Sequence, residues 1–251
     1  MKLIGGQVRL AASDVANFLA CRRLTQLDVR RARGELRPPR EFDVGFAELV
    51  RRGEVHERGV LDRFRADGLD VVDVGSARDA AQATAQAIGA GAEVIFQGTL
   101  TRDGPGAPLF GRPDFLVRAD LLAAPDGQPR PAGAHYEVVD AKLARSAKAR
   151  AVLQTAFYSQ LLAGLQDPAP RWMHLALGDG EFVPFRVNDY AAYERQTRLC
   201  GYSRRVDLDE ATRHLIAFEA ALEDGTAASA LSYCPTSTPR LTRISIRSPV
   251  R

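Results

Sequence analysis

Two short segments of this 251-residue chain, Gly111-Arg112-Pro113-Asp114 and Asp140-Ala141-Lys142, carry side chains suited to act together on a substrate. Residues two apart on a strand project from one face, so Asp140 and Lys142 share a surface while Glu137, Val139 and Ala141 turn to the other. With Asp114 on a neighbouring strand, two carboxylates come together, and such a pair is a site for a hard, oxygen-seeking cation such as Mg²⁺ or Mn²⁺. Without a cation they repel each other. An ammonium beside them orients or deprotonates a cation-bound water and stabilises charge developing on a phosphate. The chemistry this set suits is metal-assisted hydrolysis of a phosphodiester. A second reading stays open, in which Asp114 closes a strand turn and Asp140 pairs with Lys142 as an exposed ion pair. Both carboxylates interrupt apolar strands, Phe115-Leu116-Val117 after Asp114 and Val138-Val139 before Asp140, where a lone charge is costly.

Polar groups at helical spacing follow. Gln154 and Tyr158 lie one turn apart and border the apolar stripe Leu153, Phe157 and Leu161. An amide and a phenol there hold a water, a lysine or a phosphate, or are simply polar groups on the outside of a helix. Arg145, Lys148 and Arg150 follow Lys142 with no acid between them, a run suited to the backbone of a nucleic acid.

The elements that must position these groups change period along the chain. Ser13 and Asp14 read as caps of a helix running to about Gly34, with Pro38-Pro39 interrupting beyond it. A second helix is expected over 43–66, with Phe46, Leu49, Val50, Val60, Leu61 and Phe64 on one stripe and His56 on the same stripe, and a third over 77–88. A lone histidine there is either a core residue or a ligand. From Glu93 the pattern becomes that of three hairpin-ordered strands, then a helix over 146–166, then strand, Gly-Asp-Gly turn and strand over 172–187. A helical crossover after an antiparallel hairpin returns in parallel, so the expected architecture is α/β with a mixed central sheet flanked by helices. Residues 189–225 read as a helical appendage and 226–251 as a basic tail without sustained period, behind a main domain of 1–188.

Composition narrows the classes. With 45% hydrophobic and 26% charged residues the chain has room for a sizeable core. No segment approaches the roughly 18 apolar residues of a membrane span, and the N-terminus lacks the apolar block of a secretory signal, so a cytoplasmic chain without membrane association is expected. The net charge is only +3, yet seven arginines face two acids between Arg22 and Arg40, a distribution suited either to a polyanion or to solvated helices. Cys21, Cys200 and Cys234 are too scattered for a disulfide scaffold and read as buried thiols or the remains of a metal site. No phosphate-binding loop of a motor is present.

Pro113-Asp114 with Asp140-Ala141-Lys142, and Gln154-x-x-x-Tyr158 downstream, resemble the PD-(D/E)XK nuclease signature and its extra Q-x-x-x-Y element. The string from Tyr136 to Leu162 is similar to the RecB-like nuclease family of that superfamily, related to the CRISPR-associated RecB-type exonucleases, and the likeness runs from about Leu10 to about Val187. The resemblance implies a restriction-endonuclease-like core and a metal-dependent nuclease, an exonuclease of the RecB type. It implies metal ligation by Asp114, Asp140, the carbonyl of Ala141 and His56, the last in the segment Gly53-x-x-His56-Glu57. Lys142 would activate or position water, with Gln154 and Tyr158 ordering the site and Arg145, Lys148 and Arg150 on the phosphates. The implied partners are DNA, as a single strand or a duplex end, and a helicase or other DNA-processing protein; the rival function is a DNA-binding or scaffolding subunit that does not cut. Family members of this type also hold an iron–sulfur cluster through one N-terminal and three C-terminal cysteines. Cys21 and Cys234 read as a remnant of that set, and three cysteines with no close pair are not expected to hold a four-iron cluster.

Overall fold

Strong strand and helix signals become layers only when each apolar face finds a partner, and here the partner of both helical layers is one sheet. The computed structural model describes residues 1–4, 6–37, 44–103, 108–128 and 135–202. In chain order these form β1 (Lys2–Ile4), β2 (Gln7–Arg9), α1 (Ala12–Ala20), α2 (Arg22–Ala32), α3 (Val44–Ala66), β3 (Val71–Asp73), α4 (Ala80–Gly89), β4 (Val94–Phe96), β5 (Leu100–Arg102), β6 (Leu109–Gly111), β7 (Phe115–Arg118), β8 (Tyr136–Lys142), α5 (Ala149–Leu162), β9 (Trp172–Leu177), β10 (Phe182–Arg186) and α6 (Val187–Tyr202). Most of the expected helical appendage, the basic tail and Cys234 lie outside the described residues. Among the described residues no helix is long and apolar enough to cross a membrane.

The sheet has six strands in the order β10-β9-β8-β7-β4-β3. It is mixed, as the element order implies: β8 and β9 run parallel across the α5 crossover, β3 and β4 are also parallel, and the remaining pairs are antiparallel. Alternation along the strands sorts side chains into two cores. Val138, Leu116, Met173 and Leu175 pack beneath α5, α1 and α6, while Val139, Phe115, Val117 and Ala176 pack against Val60, Leu61 and Phe64 of α3. Phe64 meets Phe115 edge-on at 5.3 Å. Each of these large side chains contributes about 1.5–3 kcal/mol by leaving water.

Three expectations are corrected. The N-terminal helix is two helices, because Cys21 is extended (φ −165°, ψ 116°) between them. That break lets the apolar residues Val15, Ala16 and Phe18 bury while the arginine-rich α2 stays at the surface. Asp14 is not the cap of α1 but lies in its first turn, accepting the Ala11 amide at 2.7 Å and the N-terminal ammonium at 2.6 Å. The three hairpin strands are five, because Gln97 turns left-handed (φ 58°) after β4 and Pro113 ends the pairing before β7, leaving β5 and β6 as a separate hairpin.

The loop after β8 is fastened to the end of β9: the Gly178 amide donates to the Ala144 carbonyl at 3.0 Å, and a Cβ at 178 would stand 2.1 Å from the Leu143 carbonyl oxygen. Gly178→Ala must push that backbone aside, and we expect a loss of about 1–3 kcal/mol, read as a lower urea midpoint. An unchanged midpoint would show that the loop moves at no cost.

Candidate functional site

The antiparallel register of β7 and β8 pairs Phe115 with Val139, which sets Asp114 directly across from Asp140 one step further along. Asp114 precedes Leu116 by two on the α5 face, and Asp140 follows Val138 by two, so both carboxylates point to the same side. Pro113, next in register to Ala141, has no N–H to give. The ladder therefore stops, and the Ala141 amide donates instead to Oδ2 of Asp114 at 2.8 Å. A strand residue's N–H and C=O point to one edge, so the carbonyl of Ala141 faces the same gap.

Asp140 is fully buried; its Oδ2 meets the Lys142 ammonium in an ion pair, and its Oδ1 has no hydrogen-bond partner among the described residues. Burial, then the charge of Asp140, push the Asp114 carboxyl well above the ordinary range; Lys142 and the Ala141 amide pull it down without offsetting the rise. Burial pulls the Lys142 ammonium down, but the charges of Asp140 and Asp114 outweigh it and its pKa is raised. On α5, Gln154 donates to the Tyr158 hydroxyl at 2.9 Å. Burial first, then the charge of Asp140, raise the Tyr158 pKa, so the phenol keeps its proton and can donate it toward the carboxylates.

His56 of α3 stands elsewhere: its Nε2 is 3.0 Å from the Ala176 carbonyl of β9. A carbonyl only accepts, so in this contact Nε2 carries a proton and donates it; in the neutral tautomer that fits, Nδ1 is the acceptor nitrogen. The residue that α3 sends among the charges is the next one, Glu57. Its carboxylate accepts from the Gln97 amide, and its pKa is raised by burial and by Asp140, with Gln97, Arg112 and Lys142 opposing. Glu57 was legible only as part of the Gly53-to-Glu57 segment. Sequence reasoning gave Gln97 no role, because its signal is backbone shape. Glu137, on the opposite face, pairs with His174 at 2.8 Å in full burial.

Beside the carboxylates a cavity of about 380 Å³ is lined by Lys142, Lys148, Arg150 and Gln154 over a floor that includes Leu175 and Leu177. Arg145 is exposed just outside it, and Arg150 also reaches Asn17 of α1 at 3.3 Å. Cys21 is half-buried at the α1–α2 break, whereas the side chain of Cys200 and the whole of Cys234 lie outside the described residues.

Among the described residues no group of three or more His, Cys, Asp or Glu side chains is gathered closely enough to enclose a metal ion. What is present is a buried carboxylate with one unpartnered oxygen, a half-buried one directly across from it, and more negative charge than Lys142 offsets. That donor set fits a hard cation that keeps part of its water shell and takes one or two carboxylates. The chain matches no family model, no curated protein and no solved structure.

The raised Asp114 pKa gives a signed expectation. A carboxyl that holds its proton more tightly folded than unfolded stabilises the fold below the ordinary carboxylate pKa, and that contribution is lost as pH rises through the raised value. Asp114→Asn should therefore raise the melting temperature of the metal-free protein at pH 7.5, with the gain shrinking toward pH 4. About 1 kcal/mol of relief is roughly 2–4 °C in a chain of this size. Thermal melts in chelator at the two pH values decide it, and a variant melting below wild type at pH 7.5 would refute the excess of buried charge.

Proposed function

We propose that this chain is a divalent-metal-dependent nuclease with a restriction-endonuclease-like core of the RecB type, hydrolysing phosphodiester bonds of DNA. The observation that carries the reading is the buried, hydrogen-bond-deficient Asp140 set across from Asp114, with Lys142 beside both. Asp114, Asp140 and the Ala141 carbonyl would hold Mg²⁺ or Mn²⁺, with the Nδ1 of His56 as the remaining candidate donor. A bound cation of this kind polarises the scissile phosphate and acidifies water.

The protein's own groups divide the remaining work. Lys142, kept as an ammonium by its two acid neighbours, positions the attacking water and offsets charge developing on the phosphate. It is not the base in the metal-free protein, since its pKa is raised. Tyr158, steadied by Gln154, keeps its proton beside the charge of Asp140 and offers a hydrogen-bond donor to the site. Lys148 and Arg150 on the cavity rim, with Arg145 outside it, hold the strand by its phosphates.

The activity test is degradation of a labelled DNA strand by purified protein, dependent on Mg²⁺ or Mn²⁺ and stopped by chelator. Asp140→Ala and Lys142→Ala should each slow cleavage by about 10²-fold or more while leaving the fold and DNA affinity in place, because they act on charge that develops in the transition state. Wild-type rates in either variant would remove the site assignment. Arg150→Glu and Lys148→Glu should instead weaken binding, and each lost phosphate contact should flatten the log–log salt dependence by roughly 0.7–0.9. Altered cleavage rates with unchanged affinity and slope would contradict the phosphate-holding role.

A further inference from the structure

Gln97 has no part in the chemistry above, yet the structure is arranged around it. It is the one residue other than glycine with a left-handed backbone among the described residues, at φ 58°. Glycine takes that conformation freely, so a glutamine kept there implies that its side chain is needed. Room is left for it: a Cβ on Gly75 would stand 2.8 Å from the Cβ of Gln97 and 3.2 Å from Nη2 of Arg112. The Gln97 amide nitrogen of the backbone donates to the Asp114 carbonyl at 2.8 Å, so residues 97, 114 and 140 lie side by side across β4, β7 and β8. Its side-chain amide donates to Glu57 of α3.

Three acids near one point push each other apart, and Glu57, being only half-buried on a helix, is the one free to leave. A neutral amide donor can hold it without cancelling its charge. We infer that Gln97 is a positioning residue that keeps Glu57 beside Asp114 and Asp140, so that Glu57 adds its charge to the cation site and accepts a hydrogen bond from a water of the hydrated cation. The inference rests on the nuclease reading above. Glu57 does not bond the ion directly in this arrangement, which agrees with the absence of a closed three-ligand group among the described residues.

The test measures three quantities on the full chain: Mn²⁺ affinity by electron paramagnetic resonance, melting temperature in chelator, and steady-state DNA cleavage. Gln97→Gly should lower Mn²⁺ affinity and kcat by about 10- to 100-fold, the usual cost of losing a group that supports a metal site. KM for DNA should stay unchanged and the melting temperature should not fall, because glycine accepts the backbone conformation. Gln97→Glu should be worse in all three, as it sets an acid against Glu57. The exchange Glu57→Gln with Gln97→Glu rebuilds the hydrogen bond with donor and acceptor reversed. It should recover the melting temperature lost by Gln97→Glu, yet leave Mn²⁺ affinity and kcat low, because the charge has moved off α3.

Wild-type Mn²⁺ affinity and kcat in Gln97→Gly, or their recovery together with stability in the exchange variant, would make Gln97 a structural fastener and overturn the inference. A wild-type protein that neither binds Mn²⁺ nor cuts overturns the nuclease reading and this inference with it. One that binds Mn²⁺ without cutting overturns only the nuclease reading, and the Mn²⁺ titrations of the variants then decide the role of Gln97.

Discussion

The structure depends on an unbalanced concentration of negative charge at the point where β7 and β8 stop pairing. Two unit charges 4 Å apart interact by about 4 kcal/mol at an effective dielectric near 20. A hydrogen bond to a charged group returns about 1.5–3 kcal/mol, and Asp114 has one from the Ala141 amide. Lys142 supplies a single positive charge to Asp114, Asp140 and Glu57 together. The attractions do not close the deficit, and the rise in the Asp114 pKa records which side wins. Glu137 shows the alternative within the same strand: equally buried, it has His174 at 2.8 Å. The same strand thus pairs one internal acid fully with a histidine and leaves an oxygen of another without a hydrogen bond among the described residues.

The backbone irregularities cluster around that place and explain one another. Pro113 cannot extend the ladder, Gln97 turns the chain away after β4, and side chains from both helical layers, Glu57 of α3 and Tyr158 of α5, come within the influence of the Asp140 charge there. Gly111 completes the opening from above, since a Cβ there would stand 2.7 Å from Leu161 and 2.8 Å from the Tyr158 ring. Without that room α5 would ride higher on the sheet and its phenol would sit farther from Asp140.

Much of this was legible in the sequence because it follows from period alone. Alternation in β8 put Asp140 and Lys142 on one face, and the helix after them carried Gln154 and Tyr158 at one-turn spacing, now joined by a hydrogen bond at 2.9 Å. The crossover through α5 implied the parallel β8–β9 pair and hence the mixed sheet. What escaped was local and short. β1, β2 and β3 have three residues each, too few to show a period, and the strand-like pattern from Glu93 to Leu100 hid a left-handed break. The helix break at Cys21 escaped because the apolar spacing continues across it through Leu24 and Leu27, although Leu24 is exposed.

The division of labour between His56 and Glu57 follows from helix geometry. Successive helix residues point about 100° apart, so only one of two neighbours can face the sheet squarely. His56 is four residues before Val60 and eight before Phe64, both buried, and so continues the stripe that lies over the sheet. One turn beyond Val60 that stripe arrives above the end of β9, where the Ala176 carbonyl meets Nε2. Glu57 continues the adjacent line through Leu61, and that line leans toward β4, where Gln97 leaves its strand. Sequence proximity therefore understates the difference between the two residues. The imidazole is fastened to backbone on the β9 side of the Asp140 strand, and the carboxylate is fastened to a side-chain amide on the other side, at the end of β4.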